Sequence, residues 1–170
     1  MTRSIHSRFS SRQLPDILQA LLVAELISPS RCIWLISPWV SDIPVIDNTA
    51  NSFLALEPSW SRSKINFSQI LSRLTHLGTT VCIATRPDTH NRGFIDGLNT
   101  LAESKYLRIH EVEELHTKGL LSDSFFLAGS MNFTFHGISV NEEFLHYETD
   151  MTKVSEQKIN FRDRWGGEIV

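Results

Sequence analysis

Two uninterrupted apolar runs constrain the fold of this chain more than any other feature of its sequence. They are Cys32–Ile36 and Thr80–Ala84, and each is followed closely by a proline, in Ser37-Pro38 and in Arg86-Pro87. Apolar runs without alternation are typical of strands that are covered on both faces, and proline cannot continue such a strand. The sequence therefore predicts two buried strands inside a sheet that is flanked by helices.

Helical and strand segments alternate along the rest of the chain. The predicted helices cover residues 14–26, 67–77, 91–103 and 152–164, and the further strands cover 107–109, 117–122, 125–128 and 143–147. This alternation predicts one α/β domain over residues 1–170, built as a mixed β-sheet flanked by helices. Residues 47–64 form a polar, serine-rich connection without predicted structure. Such a long connection is either a functional loop or a plain surface insertion.

Composition and charge say more about the cellular compartment of the protein than about its function. The chain has 19 acidic and 16 basic residues, so net charge gives no support for nucleic-acid binding, although a groove can be basic on an acidic protein. Cys32 and Cys82 lie in the apolar runs and are expected to be buried thiols, as in a reducing cytosol. No segment approaches the ~20 apolar residues of a membrane span, and Met1–His6 lacks the apolar core of a secretory signal. We therefore expect a cytoplasmic protein without membrane contact.

The groups capable of chemistry are concentrated in one predicted hairpin. His116 and Lys118 are two residues apart, so on a strand they project side by side from one face. A neutral imidazole can attack phosphorus near neutral pH, and an ammonium group can bind a phosphate oxygen. Turn residues around Asp123 reverse the chain, so Ser130 and Asn132 are expected beside the His-Lys end of the partner strand. These groups can handle a phosphate diester without a metal.

The pattern H-x-K-x-x-x-x-D in residues 116–123, followed by G-S-x-N in residues 129–132, resembles the signature of the phospholipase D superfamily. The resemblance implies the α-β-α sandwich of that superfamily. The superfamily includes lipases, nucleases and restriction enzymes. Members with two copies of the motif are far longer, so a single copy in 170 residues favours the nuclease-like branch.

The resemblance also implies a role for each matching residue. His116 is similar to the nucleophile that forms a covalent phosphohistidine. Lys118, Ser130 and Asn132 are similar to the phosphate-binding residues that stabilise a pentacoordinate transition state. Glu143 matches the carboxylate that orients and polarises a histidine.

The spacing inside the motif departs from the family pattern at one point. The family usually leaves six residues between the aspartate and the Gly-Ser pair, whereas five residues (Ser124–Ala128) separate Asp123 from Gly129 here. A tighter turn could absorb the difference, and we favour this interpretation. A register shift would instead turn Ser130 and Asn132 to the wrong face. Asp123 itself is expected to be a structural turn residue at the site.

Three further residues are candidates for substrate binding. Trp39 follows the first buried strand, where open α/β sheets place ligands, and it could stack on a base or pack against the core. Arg86 and Arg92 flank the exit of the second buried strand and could contact a nucleic-acid backbone. The sequence would look the same if both arginines were simply solvated loop residues. The seven histidines show no metal-ligand spacing with the cysteines, so neither a metal nor another cofactor is expected.

A second resemblance covers most of the chain with lower specificity. Residues 36–47, together with Leu115–Gly119, are similar to phospholipase-D-like proteins associated with deazapurine DNA-modification clusters. This resemblance implies DNA modification or restriction as the setting, with other subunits of such a system as partners.

These features bear on three candidate functions. The first is a metal-independent phosphodiesterase, a DNA nuclease that acts through phosphohistidine. The family reaction uses two histidines, so a single motif implies a homodimer. The second is a catalytically silent nucleic-acid-binding subunit of a DNA-modifying complex, which the complete set of five motif residues disfavours. The third, a lipid phosphodiesterase, would need an interfacial apolar helix or a basic membrane patch, and the sequence has neither.

Overall fold

The computed structural model describes residues 2–6 and 13–167. Its strands are β1 (Thr2–His6), β2 (Cys32–Ile36), β3 (Pro44–Asp47), β4 (Lys64–Asn66), β5 (Thr80–Thr85), β6 (Leu107–Glu111), β7 (Gly119–Leu121), β8 (Phe126–Gly129) and β9 (Phe144–Glu148). Its helices are α1 (Gln13–Ile27), α2 (Phe67–His76), α3 (Arg92–Leu101), α4 (Phe135–Ser139) and α5 (Met151–Trp165), with short 3₁₀ turns at Thr89–Asn91 and Ser104–Tyr106. Seven strands form the main sheet in the order β1-β9-β8-β7-β2-β5-β6, and β3 pairs with β4 in a separate small sheet.

The two predicted buried strands lie at the centre of the sheet, as expected. β2 and β5 are parallel neighbours, and every residue of both strands is buried. β7 pairs with the other side of β2 in the antiparallel direction, so the sheet is mixed. The predicted α/β architecture with a mixed sheet flanked by helices is therefore confirmed.

The alternation of side chains along β2 divides the interior into two cores. Ile33 and Leu35 pack into the larger core, which α1, α2 and α3 cover. Trp34 and Ile36 point to the opposite face and pack into a smaller core, which α5 covers. Burial on both faces explains why this strand has no polar residue. The result is a sandwich with helices on each side of the sheet.

A two-residue turn closes the motif hairpin. The backbone N–H of Ser122 donates to the carbonyl of Phe125 (2.9 Å), which leaves Asp123 and Ser124 as the loop. Beyond the turn, Leu120 pairs with Leu127. The hairpin thus has the tight turn that we favoured from the sequence, and its two strands pair in a regular register. β7, the first strand of this hairpin, is shorter than predicted. It begins at Gly119, so His116 and Lys118 lie just before it.

The structure also has elements that the sequence did not predict. The edge strand β1 pairs with β9, which is about 140 residues away in the chain. β3 and β4 border the polar connection. The buried Asn48 side chain holds this connection together, because it accepts from Phe53 N (2.9 Å) and donates to Ser61 O (3.0 Å). The short helix α4 is capped by Thr134, whose hydroxyl accepts from Gly137 N (3.1 Å). Within residues 2–6 and 13–167, no helix is long and apolar enough to cross a membrane.

The buried carboxylate of Glu148 joins β1, β9 and α5. It accepts hydrogen bonds from the Thr2 hydroxyl and from the backbone N–H of Asp150 (2.8 Å), and it lies 3.2 Å from the Lys153 ammonium nitrogen. These partners, the Thr2 hydroxyl foremost, lower the pKa of Glu148 to about 2. The charged carboxylate therefore stabilises the folded state above its unfolded pKa of 4.5, and this stabilisation is lost as pH falls towards 2.

We predict that Glu148→Gln removes this part of the pH dependence. The variant should be less stable than wild type at pH 7, and the difference should shrink as pH falls from about 4.5 towards 2. Urea unfolding followed by circular dichroism at several pH values measures it. A difference in unfolding free energy that stays constant down to pH 2 would contradict the role given to Glu148.

Candidate active site

The carboxyl ends of β2 and β5 and the start of β7 lie together on the side of the sheet where these central strands end. This side is called the edge of the sheet, and it runs across the strands. Ile36 pairs with both Ala84 and Gly119, so the residues that follow β2 and β5 meet the residues that precede β7. β8 runs back from the turn, and its Ala128 pairs with Gly119, which brings Gly129 and Ser130 to this edge as well. The hairpin register thus gathers His116, Lys118, Ser130 and Asn132 at one edge, as the sequence predicted.

Exposed His116 contacts an arginine from the neighbouring strand. The Nη2 atom of Arg86 lies 3.3 Å from His116 Nε2, and the Nε atom of Arg86 donates to the carbonyl of Leu115 (3.0 Å). Lys118 folds towards the histidine and donates from Nζ to the His116 carbonyl (2.9 Å). One cation therefore contacts the imidazole, and a second contacts the backbone of the same exposed residue.

Asn132 is held by Ser37, which sequence reasoning did not single out. The buried Ser37 hydroxyl lies 3.3 Å from Asn132 Oδ1 and 2.8 Å from the Trp39 carbonyl, and it accepts from Phe133 N (3.3 Å). The backbone of Ser37 continues β2 by donating to the Ala84 carbonyl (3.0 Å). A serine at the end of a buried strand was the only available sequence signal, and its partners are distant in the chain.

Ser130 and Glu143 form a pair at the same edge. The Ser130 hydroxyl donates to Glu143 Oε2 and accepts from Phe144 N (3.0 Å), while Asn141 Nδ2 donates to Glu143 Oε1 (3.3 Å). Glu143 is buried, with 8% of its surface exposed. A Cβ atom at Gly129 would lie 2.1 Å from the Phe144 carbonyl oxygen, so β8 and β9 can approach this closely only with glycine there. The structure thus pairs two of the predicted site residues with each other.

Of the three candidate substrate-binding residues, Arg86 contacts His116, and Trp39 contacts Arg86. The Arg86 guanidinium lies over the Trp39 ring, 4.9 Å from its centroid. The Trp39 Nε1 atom in turn points at Asp88 Oδ2 (3.5 Å). A backbone hydrogen bond from His90 to Asp88 is the main reason that the pKa of Asp88 is below its usual range. Half-buried Trp39 and Arg86 therefore form a rim beside His116. Trp39 does not belong to either core.

Arg92, the third candidate, has different surroundings. It lies at the start of α3 and lines a shallow pocket with Asp88, Asp96 and Glu111. The carboxylates of this pocket disfavour a phosphate there. The structure thus brings Arg86 to the histidine and Trp39 to Arg86, whereas Arg92 lies among carboxylates.

Buried Asn91 ties the loops after β2 and β5 together. Its Oδ1 accepts from Val40 N (2.7 Å), and its Nδ2 lies within hydrogen-bonding distance of the Pro38 carbonyl (3.0 Å), the Thr85 hydroxyl (2.7 Å) and the Arg86 carbonyl (2.9 Å). The sequence suggested only a helix start near this residue. Its role depends on partners from two loops, which a single sequence does not reveal.

Asp123 lies away from these groups, and the expected place at the site is corrected. The turn that contains it is at the opposite edge of the sheet, before β2. There its carboxylate accepts from Arg31 N (2.8 Å) and forms an ion pair with Lys158, and its backbone N–H donates to Ser30 Oγ (3.0 Å). β7 crosses the sheet between His116 and Asp123, which separates the two residues in space. The contacts of Asp123 join the hairpin turn to β2 and α5.

In the part of the chain that the structure describes, no group of three or more histidine, cysteine, aspartate or glutamate residues could hold a metal ion.

Comparisons with known proteins identify the fold. No protein-family model matches the sequence, and no curated protein matches it. Among solved structures, NucT from Helicobacter pylori matches with a TM-score of 0.63 and 13% identity over 96% of this chain and 94% of that one. Nuc from Salmonella typhimurium, a phospholipase D family member, matches with a TM-score of 0.60 and 18% identity over 99% of this chain and 96% of that one. Polyphosphate kinase from Porphyromonas gingivalis matches with a TM-score of 0.64 and 15% identity, over 95% of this chain but 23% of its own. The chain therefore has a phospholipase-D-like fold.

Proposed function

We propose that this protein is a metal-independent phosphodiesterase that cleaves DNA through a phosphohistidine at His116. The observation that carries the proposal is the hairpin register, which brings His116 and Lys118 to the same exposed edge as Ser130 and Asn132. A nucleophile, a cation and two neutral polar groups then surround one position at which a phosphate can bind. The phospholipase-D-like fold supports this reading of the motif.

The proposed reaction has two steps. In the first, the Nε2 lone pair of His116 attacks phosphorus, the bond to the leaving oxygen breaks, and a general acid protonates that oxygen. In the second, water attacks the phosphohistidine, the N–P bond breaks, and the water proton passes to the deprotonated acid. Lys118 and the amide of Asn132 stabilise the charge on the non-bridging oxygens in both transition states.

Glu143 acts on this site through Ser130 in the proposed mechanism. The carboxylate accepts the Ser130 hydroxyl proton and holds the side chain beside the β8 terminus. Phosphate binding can exchange that partner, because a hydroxyl has one donor and two acceptor sites. The orientation of a histidine by Glu143, which the family resemblance implies, is part of the same proposal.

The rim beside His116 favours nucleic acid over lipid as the substrate. The Trp39 ring can stack on a base, and the arginine over it can contact the backbone phosphates of a strand. We place the enzyme in a DNA modification or restriction system with partner subunits, on the weaker of the two sequence resemblances.

We predict that the purified protein cleaves labelled DNA in excess EDTA. His116→Ala should lower the rate by more than about 10³-fold because it removes the nucleophile, and Lys118→Ala should lower it by about 10²-fold to 10³-fold through lost charge stabilisation. Product analysis on denaturing gels measures both. His76→Ala and Lys105→Ala are matched controls, because both residues are exposed and remote from this edge of the sheet. Activity that appears only after magnesium or zinc is added, or full activity of His116→Ala, would refute the mechanism.

We further propose that the general acid is His116 of a second copy in a homodimer. The chain has one copy of the motif, and a two-fold axis places the same residue from each subunit face to face. Exposure of His116 at the sheet edge is compatible with such an arrangement.

Subunit mixing tests this arrangement. After exchange between wild-type and His116→Ala chains, activity should follow the square of the wild-type fraction, because both histidines of a dimer are needed. A linear dependence would contradict the shared site. Sedimentation then distinguishes a monomer from a dimer with two independent sites.

A further inference from the structure

The position of Arg86 is determined at both ends of the residue. Its backbone N–H donates to the Pro38 carbonyl (3.3 Å), and its own carbonyl accepts from the buried Asn91 side chain (2.9 Å). Its guanidinium donates from Nε to the Leu115 carbonyl (3.0 Å) and lies over the Trp39 ring. The Nη2 atom that faces His116 is therefore fixed by contacts on several sides.

As a hydrogen bond, this contact is compatible with only one neutral tautomer of His116. A guanidinium has only N–H donors, so in a hydrogen bond with it the imidazole nitrogen must be the acceptor. The Nε2 atom of His116, 3.3 Å from Arg86 Nη2, then carries a lone pair, and the ring proton lies on Nδ1. Nε2 is the nitrogen that the proposed reaction uses for attack.

We propose that Arg86 is a further catalytic residue: in the attacking subunit it holds His116 with its Nε2 lone pair free of a proton and then binds the attacked phosphate, whereas the His116 that serves as general acid in the second copy is protonated and gives up this contact. This inference deepens the proposed function and rests on it for the second step. When a phosphate diester approaches, the Arg86 N–H transfers its hydrogen bond from Nε2 to a non-bridging phosphate oxygen. The lone pair is released towards phosphorus at the moment when the guanidinium begins to stabilise the developing charge.

Lysine should not replace Arg86 in this role. The arginine uses separate nitrogens of one planar group for the Leu115 carbonyl and for His116, about 3 Å away in each case. A single ammonium nitrogen on a flexible stem lacks that fixed fork. Buried Asn91, which is 2% exposed, holds the backbone from which the fork projects and is a positioning residue for it.

The tautomer can be measured without turnover. We would record nitrogen-15 spectra of the histidine side chains in alkaline buffer for wild type, Arg86→Met and Arg86→Lys, with His116 assigned from the spectrum of His116→Gln. Methionine keeps an apolar stem over Trp39 but has no N–H group. Wild type should show His116 protonated on Nδ1, and Arg86→Met should shift it to a mixture in which Nε2 is protonated. Arg108→Met is the matched control, because Arg108 also donates to backbone carbonyls (2.9 Å each) but lies near the start of β6, at the other edge.

Cleavage of labelled DNA by the same variants tests the second step. Arg86→Met should lower kcat by about 10²-fold to 10³-fold, Arg86→Lys should recover only part of that loss, and Arg108→Met should match wild type. Millimolar guanidinium ion should partly rescue Arg86→Met. An unchanged His116 tautomer in folded Arg86→Met, or wild-type kcat in that variant, overturns the inference. A wild-type protein that cleaves no DNA refutes the proposed function and with it the phosphate-binding step, while the tautomer spectra decide the first step independently.

Discussion

The parallel pairing of β2 with β5 is the interaction on which the rest of the structure depends. Both strands are buried on both faces, so they hold two cores together and place two strand ends at one edge. The loop after β2 brings Ser37 and Trp39 to this edge, and the loop after β5 brings Arg86. Asn91, whose side chain is buried, then joins the two loops through hydrogen bonds to both of them. Because an unpaired polar group is costly at a buried position, these loops are held in one arrangement.

At this edge the hairpin adds the residues of the candidate site. β7 pairs with β2, and the two-residue turn keeps β8 in register, so His116 before β7 and Ser130 after β8 come to the same edge. Most bonds that hold this edge run between polar side chains and backbone, as with Ser37 and Arg86. Such contacts position groups more accurately than exposed charge pairs, which contribute little and are screened by salt. Although the chain as a whole is acidic, positively charged side chains can still be grouped locally at this edge.

Local patterns in the sequence predicted the elements whose burial is uniform or periodic. The apolar runs of β2 and β5 predicted the central strands, and the turn residues around Asp123 predicted the hairpin. β1 was missed because only Ile5 of its five residues is buried, so its sequence shows no strand pattern. Its stability comes from pairing with β9, a contact that no local pattern encodes.

The candidate site was predictable to the extent that its residues lie in one motif. The positions of His116, Lys118, Ser130 and Asn132 followed from hairpin geometry. Ser37 and Asn91 did not, because polar residues at strand and helix ends are common and their roles come from tertiary contacts. Trp39 and Arg86 were proposed separately, and the structure shows that they touch. Asp123 was placed with the histidine by its membership of the motif, although β7 carries it to the opposite edge.

The proposed mechanism requires that a nitrogen of His116 becomes covalently bonded to phosphorus during cleavage. Mass spectrometry can detect this bond in peptides from enzyme that is quenched in alkaline denaturant during the first turnover with DNA in EDTA. We expect a nucleotide adduct on the peptide that contains His116, which is lost on acid treatment and absent from His116→Ala. Cleavage that proceeds while this peptide keeps its unmodified mass throughout the first turnover would contradict it.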